Sequence, residues 1–206
     1  MRTLIAIGGG ELKTKTTLKI DEYIADLVKK RAAPNRGTAL FIGTASHDSL
    51  PYFNSFRKIY TSVFDIKAEV ALLTKKDVPI EHNAEKLKKT DLIYVGGGDT
   101  LYMLDVWRKT GFDKLILEAY RNGVPVAGLS AGAICWFEKM YTDSAKREDG
   151  GYGIEDGLGW IPGIMTPHYN LRPEFDEIAR DYPIKYAAKD NEALLFEDEK
   201  FVGKLS

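Results

Sequence analysis

The stretch that most constrains this chain is Val124-Pro125-Val126-Ala127-Gly128-Leu129-Ser130-Ala131-Gly132-Ala133. A short apolar run ends at one serine, and small residues follow it. The pattern reads as a buried strand that turns sharply into a helix, with Ser130 at the corner. Gly128-x-Ser130-x-Gly132 matches the elbow that lifts a nucleophilic hydroxyl above a sheet. The glycines have a steric reason: the turn forces the serine into strained backbone angles, and flanking side chains would collide. Free N–H groups at the start of the following helix can stabilise an oxyanion. The same letters also fit an ordinary Gly-rich strand–helix turn, so the rest of the chain has to decide.

Composition narrows the possibilities. The chain has 206 residues and 44% hydrophobic content, which predicts a single domain over 1–206. A formal net charge of −1 gives no basic excess for nucleic acid or an anionic membrane. A lone cysteine, Cys135, predicts no internal disulfide and no cysteine-based metal site. It lies five residues past Ser130 and reads as core. No metal or cofactor is expected. The apolar run at the N-terminus is too short for a signal peptide, and no run approaches the ~20 apolar residues of a membrane span. The expectation is a cytoplasmic protein, monomer or homodimer, acting on a small molecule.

Hydrophobic patterning predicts strands at Leu4–Ile7, Ala39–Ile42, Ala68–Leu73, Leu92–Val95 and Val124–Leu129, separated by helices. The helices are read at 19–30, 52–63, 83–89, 100–109 and 112–121, with a further one from Ala131. Residues 141–159, rich in Gly, Asp and Glu, read as a loop. Pro173 to Asp181 reads as a short helix, and Tyr186–Ala188, Ala193–Phe196 and Phe201-Val202 as closing strands that form a hairpin. Strands alternating with helices argue an α/β fold with a mostly parallel sheet covered on both faces. In such sheets, sites form beyond the carboxyl ends of the strands. Gly8–Gly10, Thr44–Ser46, Gly96–Thr100 and Ser130 would all gather there.

A serine nucleophile needs a base, and the chain has three histidines. His82 lies in a polar segment and reads as solvated. His47 follows Thr44-Ala45-Ser46 near the predicted site edge. His168, in Pro167-His168-Tyr169-Asn170, follows a strand and is stiffened by a proline, which suits an imidazole that removes the Ser130 proton. The carboxylate that orients it has two candidates, Asp143 and Glu192, the latter in Lys189-Asp190-Asn191-Glu192-Ala193 at the entry to an apolar strand. Gly96-Gly97-Gly98-Asp99-Thr100 lacks the lysine and spacing of a phosphate loop. Its backbone N–H groups could donate to an oxyanion beside Ser130, while Asp99-Thr100 caps the next helix. Gly8-Gly9-Gly10-Glu11 reads as a place of close packing under the site.

Three motifs in this order and spacing, Val95-Gly96-Gly97-Gly98-Asp99-Thr100, Gly128-Leu129-Ser130-Ala131-Gly132-Ala133 and Pro167-His168-Tyr169-Asn170, resemble the peptidase E (α-aspartyl dipeptidase) family of serine peptidases, with cyanophycinases as relatives. The resemblance runs from Gly8 to about Phe196. It implies a three-layer α/β/α sandwich similar to class I glutamine amidotransferases. It implies Ser130 as nucleophile, His168 as base and the backbone N–H groups of Gly98 and Ala131 as oxyanion donors. The implied activity is hydrolysis of dipeptides with N-terminal aspartate, through an acyl-enzyme and without metal or cofactor. Relatives place the third member of the triad either soon after the serine, where Asp143 stands, or after the histidine, where Glu192 stands. Glu192 is preferred, because the Asp143 region is shortened and loop-like. Arg172 corresponds to the arginine that pairs with a substrate carboxylate, with Asp99, Thr100 and Asn170 beside it as further substrate contacts. Many relatives have asparagine where Asp99 stands, and the segment from His168 to Arg172 is shorter than in the aspartyl dipeptidases. A cyanophycinase-like or other small-peptide amidase, or a non-catalytic amidotransferase-like binding module, are the alternative expectations.

Overall fold

The computed structural model describes residues 1–75, 77–145 and 151–206. In chain order its elements are β1 (Thr3–Ile7), α1 (Leu18–Ala32), β2 (Thr38–Ile42), α2 (Leu50–Ser62), β3 (Lys67–Ala71), α3 (Ile80–Leu87), β4 (Leu92–Val95), α4 (Thr100–Thr110), α5 (Phe112–Arg121), β5 (Val126–Leu129) and α6 (Ala131–Ile134). They continue with β6 (Phe137–Thr142), β7 (Gly153–Asp156), β8 (Ile161–Thr166), α7 (Phe175–Ile178), β9 (Lys185–Ala187), β10 (Ala193–Glu197) and β11 (Lys200–Leu205).

Seven strands form the main sheet in the order β11-β10-β1-β5-β4-β2-β3. The five strands from β1 to β3 pair in parallel, while β10 and β11 add an antiparallel hairpin at one edge. Side chains alternate between the faces of each central strand, as the pleat requires. On one face Ile5, Ile7, Ala39, Phe41, Leu92, Tyr94 and Leu129 meet Ile20, Ile24 and Val28 of α1 and Phe56, Ile59 and Tyr60 of α2. On the other, Leu4, Ala6, Leu40, Ile42, Ile93, Val95 and Val126 meet α4, α5 and α6 through Met103, Leu104, Trp107, Ile116 and Ile134. The result is a mostly parallel sheet between two helical layers.

A second sheet, β7-β6-β8-β9, is the main departure from the sequence reading. The helix after Ser130 lasts four residues before the chain turns into β6. Part of the 141–159 segment read as a loop is strand: the end of β6 pairs antiparallel with β7, while residues 146–150 lie outside the described residues. β6 also pairs in parallel with β8, and β8 with β9, so β9 belongs here and not to the terminal hairpin. Phe137, Met140, Ile161 and Met165 join the same core as Leu4, Leu194 and Phe196, which seats this sheet on the α6 side of the main one.

Candidate active site

The elbow is as tight as its glycines suggest. Ser130 sits at φ 54°, ψ −107°, between the end of β5 and the first residue of α6. A Cβ on Gly128 would collide with the carbonyl of Gly132, and one on Gly132 with the carbonyl of Val95. Only backbone fits where the elbow helix crosses β4 and β5. The Ser130 N–H donates to Ile7 O (2.9 Å), so the turn is tied to β1. The next N–H, that of Ala131, opens the helix and has no acceptor within it.

The hydroxyl faces an imidazole. His168 Nε2 lies 2.9 Å from Ser130 Oγ, and His168 Nδ1 lies 2.5 Å from Asp190 Oδ1. His168 also takes left-handed angles, φ 50°, ψ 38°, at the end of the β8 segment. Its N–H donates to Gly8 O (2.9 Å), and the Asn191 N–H donates to Gly9 O (3.0 Å). The tip of β1 therefore holds both the imidazole and the turn that carries its carboxylate. Gly9 is packed against this pair so closely that a Cβ there would strike Asp190 Oδ1 and His168 Nδ1. The expected close packing under the site is present.

The carboxylate at His168 Nδ1 is thus Asp190, which corrects the expectation of Glu192 or Asp143. Glu192 turns away: its Oε2 accepts from the Lys189 N–H and from Lys204 Nζ. Asn191, at φ 63°, rotates the chain between the two acids, so one faces the imidazole and the other the surface. Asp143 is exposed at the end of β6. Asn170, expected on substrate, instead braces Asp190: its Nδ2 donates to Asp190 Oδ2 (2.9 Å) and its Oδ1 accepts from the Asp190 N–H (2.8 Å). Desolvation works against the Asp190 charge. The hydrogen bonds from Asn170 and His168, with the nearby positive charge of Arg172, outweigh it and hold the carboxyl below its ordinary value.

The glycine loop after β4 borders the serine on its other side. A Cβ on Gly97 would lie 3.3 Å from Ser130 Cβ. Gly98 has φ 139°, and a side chain there would collide with Ala45 O, to which the Asp99 N–H also donates (2.8 Å). The Gly97 N–H donates to the Tyr52 hydroxyl (3.1 Å), a contact from α2 that the sequence reading did not foresee. Asp99 caps α4, with Oδ1 accepting from the Tyr102 N–H (2.9 Å). Thr100 is buried and its N–H donates to Ser144 Oγ (2.9 Å), so it is part of the scaffold and not a substrate contact.

Arg172 also departs from its expected place. It is 4% exposed, and its Nη1 donates to Tyr141 O (3.0 Å) and Thr166 Oγ1 (3.3 Å). Its guanidinium lies 4.3 Å from the Tyr152 ring centroid. The residue ties the second sheet together and does not reach out for a substrate carboxylate. His47 is exposed and lies tilted against the Tyr102 ring (4.2 Å between ring centres), His82 is exposed on α3, and Cys135 is buried as expected. Among the described residues, no cluster of His, Cys, Asp and Glu could hold a metal ion, and no helix is long and apolar enough to cross a membrane.

Fold and constellation together define a class: an α/β/α protein with a serine, a histidine and an aspartate in line at the carboxyl edge of a mostly parallel sheet. Sequence comparison places the chain within that class. Residues 4–203 match the model of peptidase family S51, and the chain belongs to that family. It is 34% identical to the uncharacterized peptidase YgaJ of Bacillus subtilis (strain 168), over 100% of this chain and 88% of that protein. A peptidase E of Streptomyces coelicolor is 30% identical over a shorter stretch, 41% of this chain and 34% of that protein. A solved structure from Listeria monocytogenes EGD-e, provisionally described as peptidase E, superposes with a TM-score of 0.70 at 25% identity over 100% of both chains. The structure of a peptidase from an acI-B1 Actinobacterium shares the fold, with a TM-score of 0.73 at 22% identity over 95% of this chain and 83% of that one.

Proposed function

We propose that this peptidase is of the serine type and hydrolyses short peptides through an acyl-enzyme. The observation that carries the reading is the position of His168, in hydrogen-bond reach of Ser130 Oγ on one ring nitrogen and of Asp190 on the other. Geometry comes first in assigning a base, and this geometry lets the imidazole take the serine proton while the carboxylate fixes its tautomer and supports the imidazolium. Ser130 Oγ then attacks the peptide carbonyl. The N–H groups of Gly98 and Ala131 stabilise the oxyanion, each worth on the order of 3 kcal/mol by analogy with other serine hydrolases. His168 returns the proton to the leaving amine, and water releases the acid by the reverse steps.

Dipeptides with N-terminal aspartate are the first substrates to try, since family resemblance points there. The burial of Arg172 favours a second, broader reading, a small-peptide amidase without strict demand for aspartate. A panel with Asp, Glu, Asn and β-linked Asp at the first position separates the two. Covalent labelling by a fluorophosphonate tests the nucleophile itself. The wild type is expected to label and Ser130→Ala to lose both labelling and turnover while keeping its fold. Turnover by Ser130→Ala would overturn the proposal.

A further inference from the structure

A hollow of about 320 Å³ opens between the loop after β1 and the first turn of α2, walled by Gly10, Glu11, Leu12, Lys13, Pro51, Tyr52 and Ser55. It touches the proposed machinery from both sides. Gly10 follows Gly9, whose backbone lies against His168 and Asp190. Tyr52 takes the Gly97 N–H on its hydroxyl, and Gly97 lies against Ser130. The hollow is therefore one residue away from the base and one away from the nucleophile.

Three of its polar side chains are already engaged, and the fourth, Lys13, is exposed. Ser55 Oγ donates to Pro51 O (3.1 Å), Glu11 accepts on Oε2 from Thr14 Oγ1 (3.0 Å), and the Tyr52 hydroxyl accepts from Gly97. The lining also supplies the proline ring, the tyrosine ring, Leu12 and the aliphatic stem of Lys13 as apolar surface. The size is at the lower end of ligand pockets, which run from about 300 to 1,000 Å³. That is room for a side chain and not for a long peptide.

We propose that this hollow is a substrate subsite that takes one large apolar or aromatic side chain of the peptide presented to Ser130, with Tyr52 as its floor. The proposal rests on the serine-peptidase reading above and adds a selectivity that neither Ser130 nor His168 can supply. A side chain seated there packs on the ring whose hydroxyl holds the glycine loop, so occupancy and the placing of that loop share one residue.

The test fills the space from α2. Ser55 is half-buried on the helix surface, and Ser55→Trp would occupy the hollow, with Ser55→Leu as a milder filler should the larger one fold poorly. The readout is the ratio of kcat/KM for dipeptides bearing Phe to those bearing Ala, varied at each position in turn. The wild type should favour Phe at one position by about 10-fold or more, the range expected for a shaped apolar pocket. Either filled variant should erase that preference. Diisopropyl fluorophosphate, too small to need the hollow, reads the reactivity of Ser130 separately. A preference that survives filling, or a wild type with none, overturns the subsite while Ser130 still labels. A wild type that neither labels nor cleaves any dipeptide overturns the serine-peptidase reading, and the subsite with it.

Discussion

Asp190 accepts two side-chain hydrogen bonds, one on each oxygen, and both donors lie within three positions of each other in the chain, at His168 and Asn170. On the proposed serine-peptidase reading, losing its charge removes the anion that stabilises the imidazolium and allows the wrong tautomer. Asp190→Asn should therefore lower kcat by about 10³–10⁴-fold with the fold retained. Glu192→Gln, in contact only with Lys189 and Lys204 in the hydrogen bonds above, should change kcat by less than about 3-fold, within the range of a surface substitution. Steady-state kinetics of the two variants side by side distinguishes these acids. Tyr52→Phe removes the acceptor of the Gly97 N–H without emptying the site. It should cost about 10-fold in kcat, less than the 10²–10³ of deleting an oxyanion donor outright, with KM moved far less. The serine and histidine were legible because their signals are local: a strand, a turn and glycines that the turn requires. The acid was not, because two acids two positions apart are told apart only by the left-handed angles of Asn191. Asparagine tolerates that region well, and the residue pair Asp190-Asn191 was the one available hint.

Among the elements, α1 carries a group with a pH signature. Asp21 is 1% exposed and accepts hydrogen bonds from Thr17 Oγ1 (2.7 Å) and the Tyr60 hydroxyl of α2 (3.1 Å). Burial raises its pKa to about 6, against the lowering effect of those two bonds. The folded state then keeps this proton over a window in which the unfolded chain has released it. Stability should fall as pH rises from about 4 to about 6 and level off above, by on the order of 3 kcal/mol. Urea unfolding across that window checks the slope, and Asp21→Asn should flatten it. The neighbouring hydroxyls of Tyr60 and Tyr94 are pushed far above their ordinary range by burial and stay neutral throughout. The helices and the central strands were readable from period alone, as with Ile20, Ile24 and Val28 of α1. Strands β6 and β7 were not, because the Phe137-Glu138-Lys139-Met140-Tyr141-Thr142 stretch lacks clean alternation and its pairing with Ile161–Thr166 is made from a distance.

At the scale of the whole molecule, the second sheet explains why Arg172 is spent on structure. Its hydrogen bonds join β6 to β8, and among the described residues its buried Nε has no partner. Arg172→Met should destabilise the protein by about 2–3 kcal/mol, measured as a lower thermal midpoint, and leave the preference for aspartate over asparagine unchanged. A sequence motif matched the position of this arginine but could not show which way it faces, since that depends on a sheet whose strands were only partly visible. The positive φ at Ser130 has a last consequence for the molecule as a whole. Glycine is normally less stable than alanine by about 0.5–1 kcal/mol, whereas a backbone forced into this region by a side chain carries about 1–3 kcal/mol. At this one corner the usual ranking should invert, with Ser130→Gly outlasting Ser130→Ala in urea. Both variants lack the hydroxyl, so the difference between them isolates what it costs to hold any side chain at this corner.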